Sequence, residues 1–392
     1  MSSSSEEPGF IPLGSYKWPA MPTQETLRRL IDRFSHRIAN RFQEEQEPAV
    51  AKDKLHRVTR SVLDNVVSPP SCGPLARELE KTVAAHQASS DPLTRSMLVV
   101  LPPCDRSCAI RSWAEQNGHQ ILEPPARSEL IRSADEPLPD LVGEGMLVVP
   151  RLESWFLRHH KGLDRLRQLL AALDRHDRPC VIGCNSWAWR YLVAATDADL
   201  ILPNAVTFQA FDAERLHHWF SETVDRNGMQ SLRFRLSDSG KDVMAVDEDG
   251  KLKNDYFQTL AATSLGIPWV AWHLWRRSLR SENGDAPADA DQAINQQLDD
   301  QTLWIAALDE FRLPGSSRQA ALLVLQSLLI HGELSESDLA TTLPAQGLSA
   351  LLPALRTAGF IERDGDSYQC HPAAYPSIRS GLSAAGFAVD RL

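Results

Sequence analysis

The residues with the strongest claim to chemistry lie where a continuous apolar run meets a helix. Met97-Leu-Val-Val-Leu101 reads as a strand buried on both faces, and Ala109 to Asn117 as the helix that follows it. Such a junction cradles phosphate when glycines let the backbone approach, helix N–H groups face the anion, and Lys with Ser/Thr handles phosphate and magnesium. Here it reads Leu101-Pro-Pro-Cys-Asp-Arg-Ser-Cys-Ala109, with neither glycine nor lysine. Pro102 and Pro103 remove two N–H donors and stiffen the loop. Arg106 and Ser107 stand where Lys and Ser/Thr would be, next to an Asp105 whose charge repels phosphate.

The ends of later strands would supply the remaining groups. A nucleoside triphosphatase needs an acidic pair after its third strand, one carboxylate for magnesium and one to polarise water. Met146-Leu-Val-Val149 instead runs into Pro150-Arg-Leu-Glu153, so Glu153 is the available acid, a few residues late. It reads equally as a solvated helix residue. After the fourth strand, Cys180-Val-Ile-Gly183, Asn185 sits where a polar residue often senses a terminal phosphate. Arg106, Ser107, Glu153 and Asn185 are therefore the candidate nucleotide-binding set, vestigial in type, with ATP and magnesium as the cofactors to test. Gly240-Lys241 lies in a polar turn and does not replace the missing lysine. No catalytic residue and no metal ligand is assigned.

Other constellations read as structural. Cys104-x3-Cys108 and Cys180-x3-Cys184 are two spaced pairs, where a zinc site wants four ligands. On one strand Cys180 and Cys184 would stand about 13 Å apart, too far to share a metal. Buried thiols are the ordinary reading of these pairs. His159-His160 and His217-His218 read as helical neighbours whose side chains diverge. Trp187, Trp189, Trp269, Trp272 and Trp275 read as core or interface packing.

These groups need elements to position them. Strands at 97–101, 120–122, 146–149, 180–183 and 205–208 alternate with helices at 109–117, 163–175 and from Ser186, the pattern of a parallel sheet with right-handed crossovers over 95–211. Residues 1–22 read as a flexible tail, though Phe10, Ile11, Leu13, Tyr16 and Trp18 equip it to dock on its own body or on a partner. Residues 23–94 form a helical region. Leu27, Leu30, Ile31, Phe34, Ile38 and Phe42 mark one amphipathic helix, and Leu55, Val58, Val62 and Val66 a second. Residues 212–299 read as helices with a hairpin excursion near 232–253, followed by the polar linker 281–292. Residues 300–392 read as a separate unit: helices at 320–330, 336–343 and 348–358, then a hairpin turning at Asp364-Gly365. That succession is a winged helix.

Composition narrows the classes of function. The chain of 392 residues is 43% hydrophobic and carries a formal charge of −10, which excludes wholesale disorder and disfavours nucleic acid or an anionic membrane as the general partner. No apolar window of membrane-spanning length occurs, and the start of the chain lacks a basic region and an apolar run, so neither a span nor a secretory signal is expected. Six cysteines suit a reducing compartment, and a cytoplasmic location is expected. From Gly315 onward there are five Arg, no Lys and seven Asp plus Glu, a poor DNA surface and a good protein-contact surface.

The order of elements resembles that of AAA-plus and signal-transduction (STAND) ATPases: a P-loop-like α/β core, a helical lid, then a winged helix. The phrase Leu260-Ala-Ala-Thr-Ser-Leu-Gly-Ile-Pro-Trp-Val-Ala-Trp-His-Leu-Trp275 is similar to the "small residue, Gly, x, Pro" helix start in the lid of those families. The resemblance covers about 95–392. It implies that the first and fourth strands lie side by side, so that Cys104, Cys108 and Cys184 can converge at one sheet edge, and that the 101–108 junction corresponds to the nucleotide loop. At both diagnostic nucleotide motifs the chain departs from the family pattern. The function this implies is that of a catalytically degenerate AAA-plus/STAND-like scaffold or regulatory subunit. It would contact protein partners through Leu27, Ile31, Phe34 and Ile38 and through the winged helix. The alternatives are an ATP-binding or weakly hydrolysing protein with unconventional motifs and a winged-helix transcription regulator.

Overall fold

The computed structural model describes residues 9–22, 50, 54–58, 63–64, 73–89, 95–132, 138–139, 141–226, 232–282, 302–307, 311–313, 318–344 and 347–392. The chain divides into two compact units, one of residues 1–17, 71–209 and 311–392, the other of residues 18–70 and 210–310.

The apolar runs of the first unit form strands because they are buried on both faces. β3 (Ser96–Leu101), β5 (Leu147–Val149) and β6 (Cys180–Asn185) are almost wholly inaccessible. With β1 (Ile11–Pro12), β4 (Gln120–Ile121) and β7 (Val206–Thr207) they make a six-stranded sheet in the order β1-β7-β3-β6-β5-β4. All neighbours are parallel except the β1–β7 pair. The first and fourth parallel strands are adjacent, paired from Ser96↔Cys180 to Leu101↔Asn185. Glycine is required at Gly183: a Cβ there would lie 2.2 Å from the Pro150 carbonyl oxygen. Residues 9–17 are not loose. Besides contributing β1, they bury Tyr16 edge-on against Phe208, with ring centroids 5.8 Å apart.

Helices α1 (Gly73–Ala88), α2 (Ala109–Gln116), α3 (Glu129–Arg132), α4 (Asp164–Asp174), α5 (Ser186–Thr196) and α6 (Ala198–Ile201) accompany the sheet. The C-terminal residues of this unit are the helix α10 (Arg318–His331), strand β11 (Glu333–Ser335), helices α11 (Glu336–Thr342) and α12 (Leu348–Thr357), the hairpin β12 (Ile361–Asp364) and β13 (Ser367–Cys370), and helix α13 (Tyr375–Ala384). The three strands pair antiparallel in the order β11-β13-β12.

Residues 311–392 group with the α/β sheet, where a separate unit was expected, because buried polar bonds hold them there. Asp390, 1% exposed, accepts from Ser186 Oγ at the start of α5 (2.6 Å), from Tyr375 OH (2.7 Å) and from Arg379 Nε (2.9 Å). Arg127 Nη2 donates to the His331 carbonyl at 2.7 Å, and the Arg158 N–H to His331 Nε2 at 3.3 Å.

The second unit holds α7 (Ala213–Arg226), α8 (Tyr256–Thr263) and α9 (Pro268–Ser278), and also a four-stranded sheet in the order β2-β9-β10-β8. Its strands are β2 (His56–Arg57), β8 (Arg233–Leu236), β9 (Leu279–Ser281) and β10 (Thr302–Ile305). Three features differ from the helical reading. His56–Arg57 is extended and pairs with Ser281 and Arg280, where a helix over 55–66 was expected. Thr302–Ile305 lies in this sheet, parallel to β8. The expected hairpin excursion consists of β8 and isolated bridges at Arg235↔Asp242 and Val246↔Leu252. The amphipathic stretch carrying Leu27, Ile31, Phe34 and Ile38, and residues 283–292 of the expected 281–292 linker, lie outside the described residues, while Ser281 of that linker stands in β9.

The Leu265-Gly-Ile-Pro268 phrase has a clear physical basis. Leu265 and Gly266 both take positive φ (61° and 70°), and Pro268 then opens α9. A Cβ on Gly266 would lie 2.7 Å from Ala210 Cβ. The tryptophans are core: Trp187, Trp189, Trp269, Trp272 and Trp275 are all buried, with Trp275 stacked on Phe220 at 4.6 Å. No described helix is long and apolar enough to cross a membrane.

Candidate functional site

The loop from Leu101 to Cys108 turns sharply enough to put two non-glycine residues, Cys104 (φ 67°) and Cys108 (φ 46°), in the left-handed region. The backbone thus adopts the glycine-like conformation of a tight strand-to-helix turn while carrying cysteine side chains. The groups that would face a phosphate are taken by Asp105. Its Oδ2 accepts the Ala109 N–H at 2.8 Å and its Oδ1 the Ser107 hydroxyl at 2.6 Å. The carboxylate therefore occupies the anion position at the N-terminus of α2, where the helix dipole favours negative charge.

The other candidates converge here as a bonded framework. Arg106 pairs with Glu362 on β12. Arg151, which the sequence did not single out, donates from Nη2 to the Asp105 carbonyl at 2.9 Å. Glu153, in the 3-10 turn Leu152–Trp155, is 6% exposed and accepts the Asn185 N–H at 3.1 Å. Asn185 caps α5, its Oδ1 accepting from the Ala188 N–H at 2.8 Å, while Nδ2 donates to the Ile330 carbonyl at 3.2 Å. Asn185 and Glu153 thus bind each other, and Arg106 and Ser107 are each held by a carboxylate.

Burial shifts the titratable groups of the site. It raises the Glu153 carboxyl above its ordinary range, against the opposing pull of Arg151 and the Asn185 N–H. Burial pushes the Cys104 thiol up to about 12 and raises Cys108 and Cys184 as well, which favours the thiol over the thiolate at all three. These three cysteines do converge, lining one cavity of about 50 Å³ together with Asp105, Glu153 and Asn185. Among the described residues no group of three or more His, Cys, Asp or Glu could hold a metal ion.

The cavity sits between the carboxyl ends of β3 and β6, the crevice where open α/β sheets take ligands. It is far below the roughly 300–1,000 Å³ of small-molecule sites. Gly332 and Gln369, from the C-terminal residues, complete its lining. ATP with magnesium does not fit the residues present. There is no lysine or glycine in the loop, a carboxylate holds the helix N-terminus, and the crevice is small. The histidine pairs are not chelating: His159 and His160 lie in a turn with ring centroids 4.0 Å apart, while His217 Nε2 meets the Met244 carbonyl and His218 pairs with Glu222.

No family model and no curated protein matches the chain. Among solved structures, a RuvB variant from Thermotoga maritima aligns with 82% of this chain and 96% of its own, at 13% identity and a TM-score of 0.33. The Aeropyrum pernix ORC2 protein in ADPNP–ADP complexes covers 85% and 99%, at 10% identity and 0.30. The ORC1 protein of the same organism, in complex with DNA, covers 86% and 99%, at 12% identity and 0.30. At such scores the similarity is distant, and the chemistry available to this chain is that of its own junction: internal ion pairing and capping around a small crevice.

Proposed function

We propose that this protein is a non-hydrolysing relative of the AAA-plus/STAND plan that acts as a scaffold or regulatory subunit through protein contacts. The single observation that carries this reading is the Asp105 carboxylate bonded to the Ala109 N–H and the Ser107 hydroxyl, where a phosphate would have to sit. The C-terminal helices and three-stranded sheet are read as a winged helix used for contact rather than for DNA. The exposed positions of α12 are Ser349, Ala350, Pro353, Arg356 and Thr357, a surface with one cation. The amphipathic stretch with Leu27, Ile31, Phe34 and Ile38 supplies the other contact surface in this reading. A phosphate-release assay with Mg-ATP tests it. Turnover should equal that of a protein carrying Arg106→Ala and Glu153→Ala. Turnover that those two changes abolish would overturn the reading. Ile31→Asp with Phe34→Asp should strip partners from the purified complex without lowering its melting temperature; a large drop in melting temperature would assign that helix to the core instead.

A further inference from the structure

Residues 10–16 lie on the edge of the six-stranded sheet as a bound peptide would. Ile11 and Pro12 pair antiparallel with Thr207 and Val206 of β7. The Leu13 N–H donates to the Ala205 carbonyl at 2.8 Å, and the Phe10 N–H to Thr82 Oγ1 of α1 at 3.2 Å. Only Tyr16 is buried, packed edge-on against Phe208. Phe10, Ile11 and Leu13 are half-buried, while Pro12, Gly14 and Ser15 are exposed. Main-chain bonds with a side-chain anchor are how strand addition recognises an extended peptide. A segment with so few buried contacts opens locally at less cost than the core.

The edge is not fully satisfied by the strand it now carries. The Thr207 hydroxyl is wholly buried and has no hydrogen-bond partner among the described residues. Ile11, directly opposite, has no side-chain polar atom to offer it. A buried polar atom left unpaired costs free energy that a matching partner would restore. Ser or Thr in place of Ile11 would stand within reach, because directly opposite Cβ atoms are about 4.5–5.5 Å apart.

We propose that the β7 edge is a strand-addition site for an extended peptide of a protein partner, which residues 10–16 hold shut until they are displaced. The peptide that fits carries Ser or Thr opposite Thr207 and, five positions later, an aromatic residue over Phe208. The site uses neither the 101–108 junction nor the surfaces named in the proposed function, so its failure would leave that reading intact.

Fluorescence anisotropy on the full chain with a labelled peptide of residues 9–17 tests the proposal. The Tyr16→Ala protein, whose own strand has lost its anchor, should bind the peptide with a Kd on the order of 50 μM. The wild type, with its edge occupied, should bind at least about tenfold more weakly. Toward the Tyr16→Ala protein, an Ile11→Thr peptide should bind several-fold more tightly than the isosteric Ile11→Val peptide. No binding to the Tyr16→Ala protein up to ~1 mM overturns the proposal. So does equal binding of the Thr and Val peptides, or a wild type that binds as tightly as the variant. Hydrogen exchange on the wild type tests the opening without any substitution. The Leu13 N–H should exchange at least about 100-fold faster than those of Val99 in β3 and Ile182 in β6. Equal protection would make the segment part of the core and overturn the proposal as well.

Discussion

The Asp105 carboxylate lies 2.8 Å from the Ala109 N–H and 2.6 Å from Ser107 Oγ, and so caps α2 from within the loop that precedes it. Capping of this kind stabilises a helix by about 0.5–2 kcal/mol. Asp105→Ala should lower unfolding stability by ~1 kcal/mol, and Asp105→Asn by less, because the amide oxygen still accepts. Denaturant unfolding of the three proteins checks this; equal stabilities would remove Asp105 from its capping role.

Glu153 is buried with its carboxyl raised above the ordinary value of 4.5. The folded state therefore binds its proton more tightly than the unfolded chain. This contribution is full below that ordinary value and is lost as pH rises through the folded value. Glu153→Gln, which keeps an acceptor for the Asn185 N–H, should raise the melting temperature at pH 7.5 and have no stabilising effect near pH 4. A variant that melts lower at pH 7.5 would show that Glu153 is held charged and that the attraction of nearby Arg151 outweighs burial.

His331 has the opposite sign. Burial first, then Arg127 and Arg158, depress its imidazole well below the ordinary 6.5, and its Nδ1 has no hydrogen-bond partner among the described residues. Its contribution is present above pH 6.5 and is lost as pH falls through the folded value, by up to ~1.4 kcal/mol per pH unit. Melting temperatures of the wild type and of His331→Leu, compared at pH 7.5 and 5.5, should show the smaller drop in the variant. Parallel drops would exclude His331 as a source of acid sensitivity.

Asp390 ties the C-terminal residues to the head of α5 through Ser186, Tyr375 and Arg379. Removing one partner of a buried charged network costs about 3–5 kcal/mol, so Asp390→Ala should destabilise the protein by that order. If residues 311–392 and the sheet are one cooperative unit, near-ultraviolet signals from Trp187 and Tyr375 should disappear in the same transition. A separate early transition for Tyr375 would restore the picture of an independent C-terminal domain.

The α/β sheet was legible because Met97–Leu101, Met146–Val149 and Cys180–Gly183 are unbroken apolar runs, which only a doubly covered strand requires. The second sheet was not. Arg233–Leu236 and Thr302–Ile305 are short, and their pairing joins residues about seventy apart across a polar stretch. At the site, positions alone singled out Arg106, Ser107, Glu153 and Asn185 as candidates, since strand ends are where such groups would stand. The role of Asp105 had a sequence signal, an acidic residue just before a helix. That signal was read only as repulsion. The reach of Arg151 to the Asp105 carbonyl and the closure around Asp390 depend on long-range packing and leave no local trace.

The central claim, that the 101–108 junction does not support nucleotide chemistry, is tested most directly by calorimetric titration of Mg-ATP into the full chain. The account predicts no saturable binding up to ~1 mM nucleotide. Magnesium-dependent binding in the micromolar range, abolished by Ser107→Ala or Glu153→Gln, would contradict it.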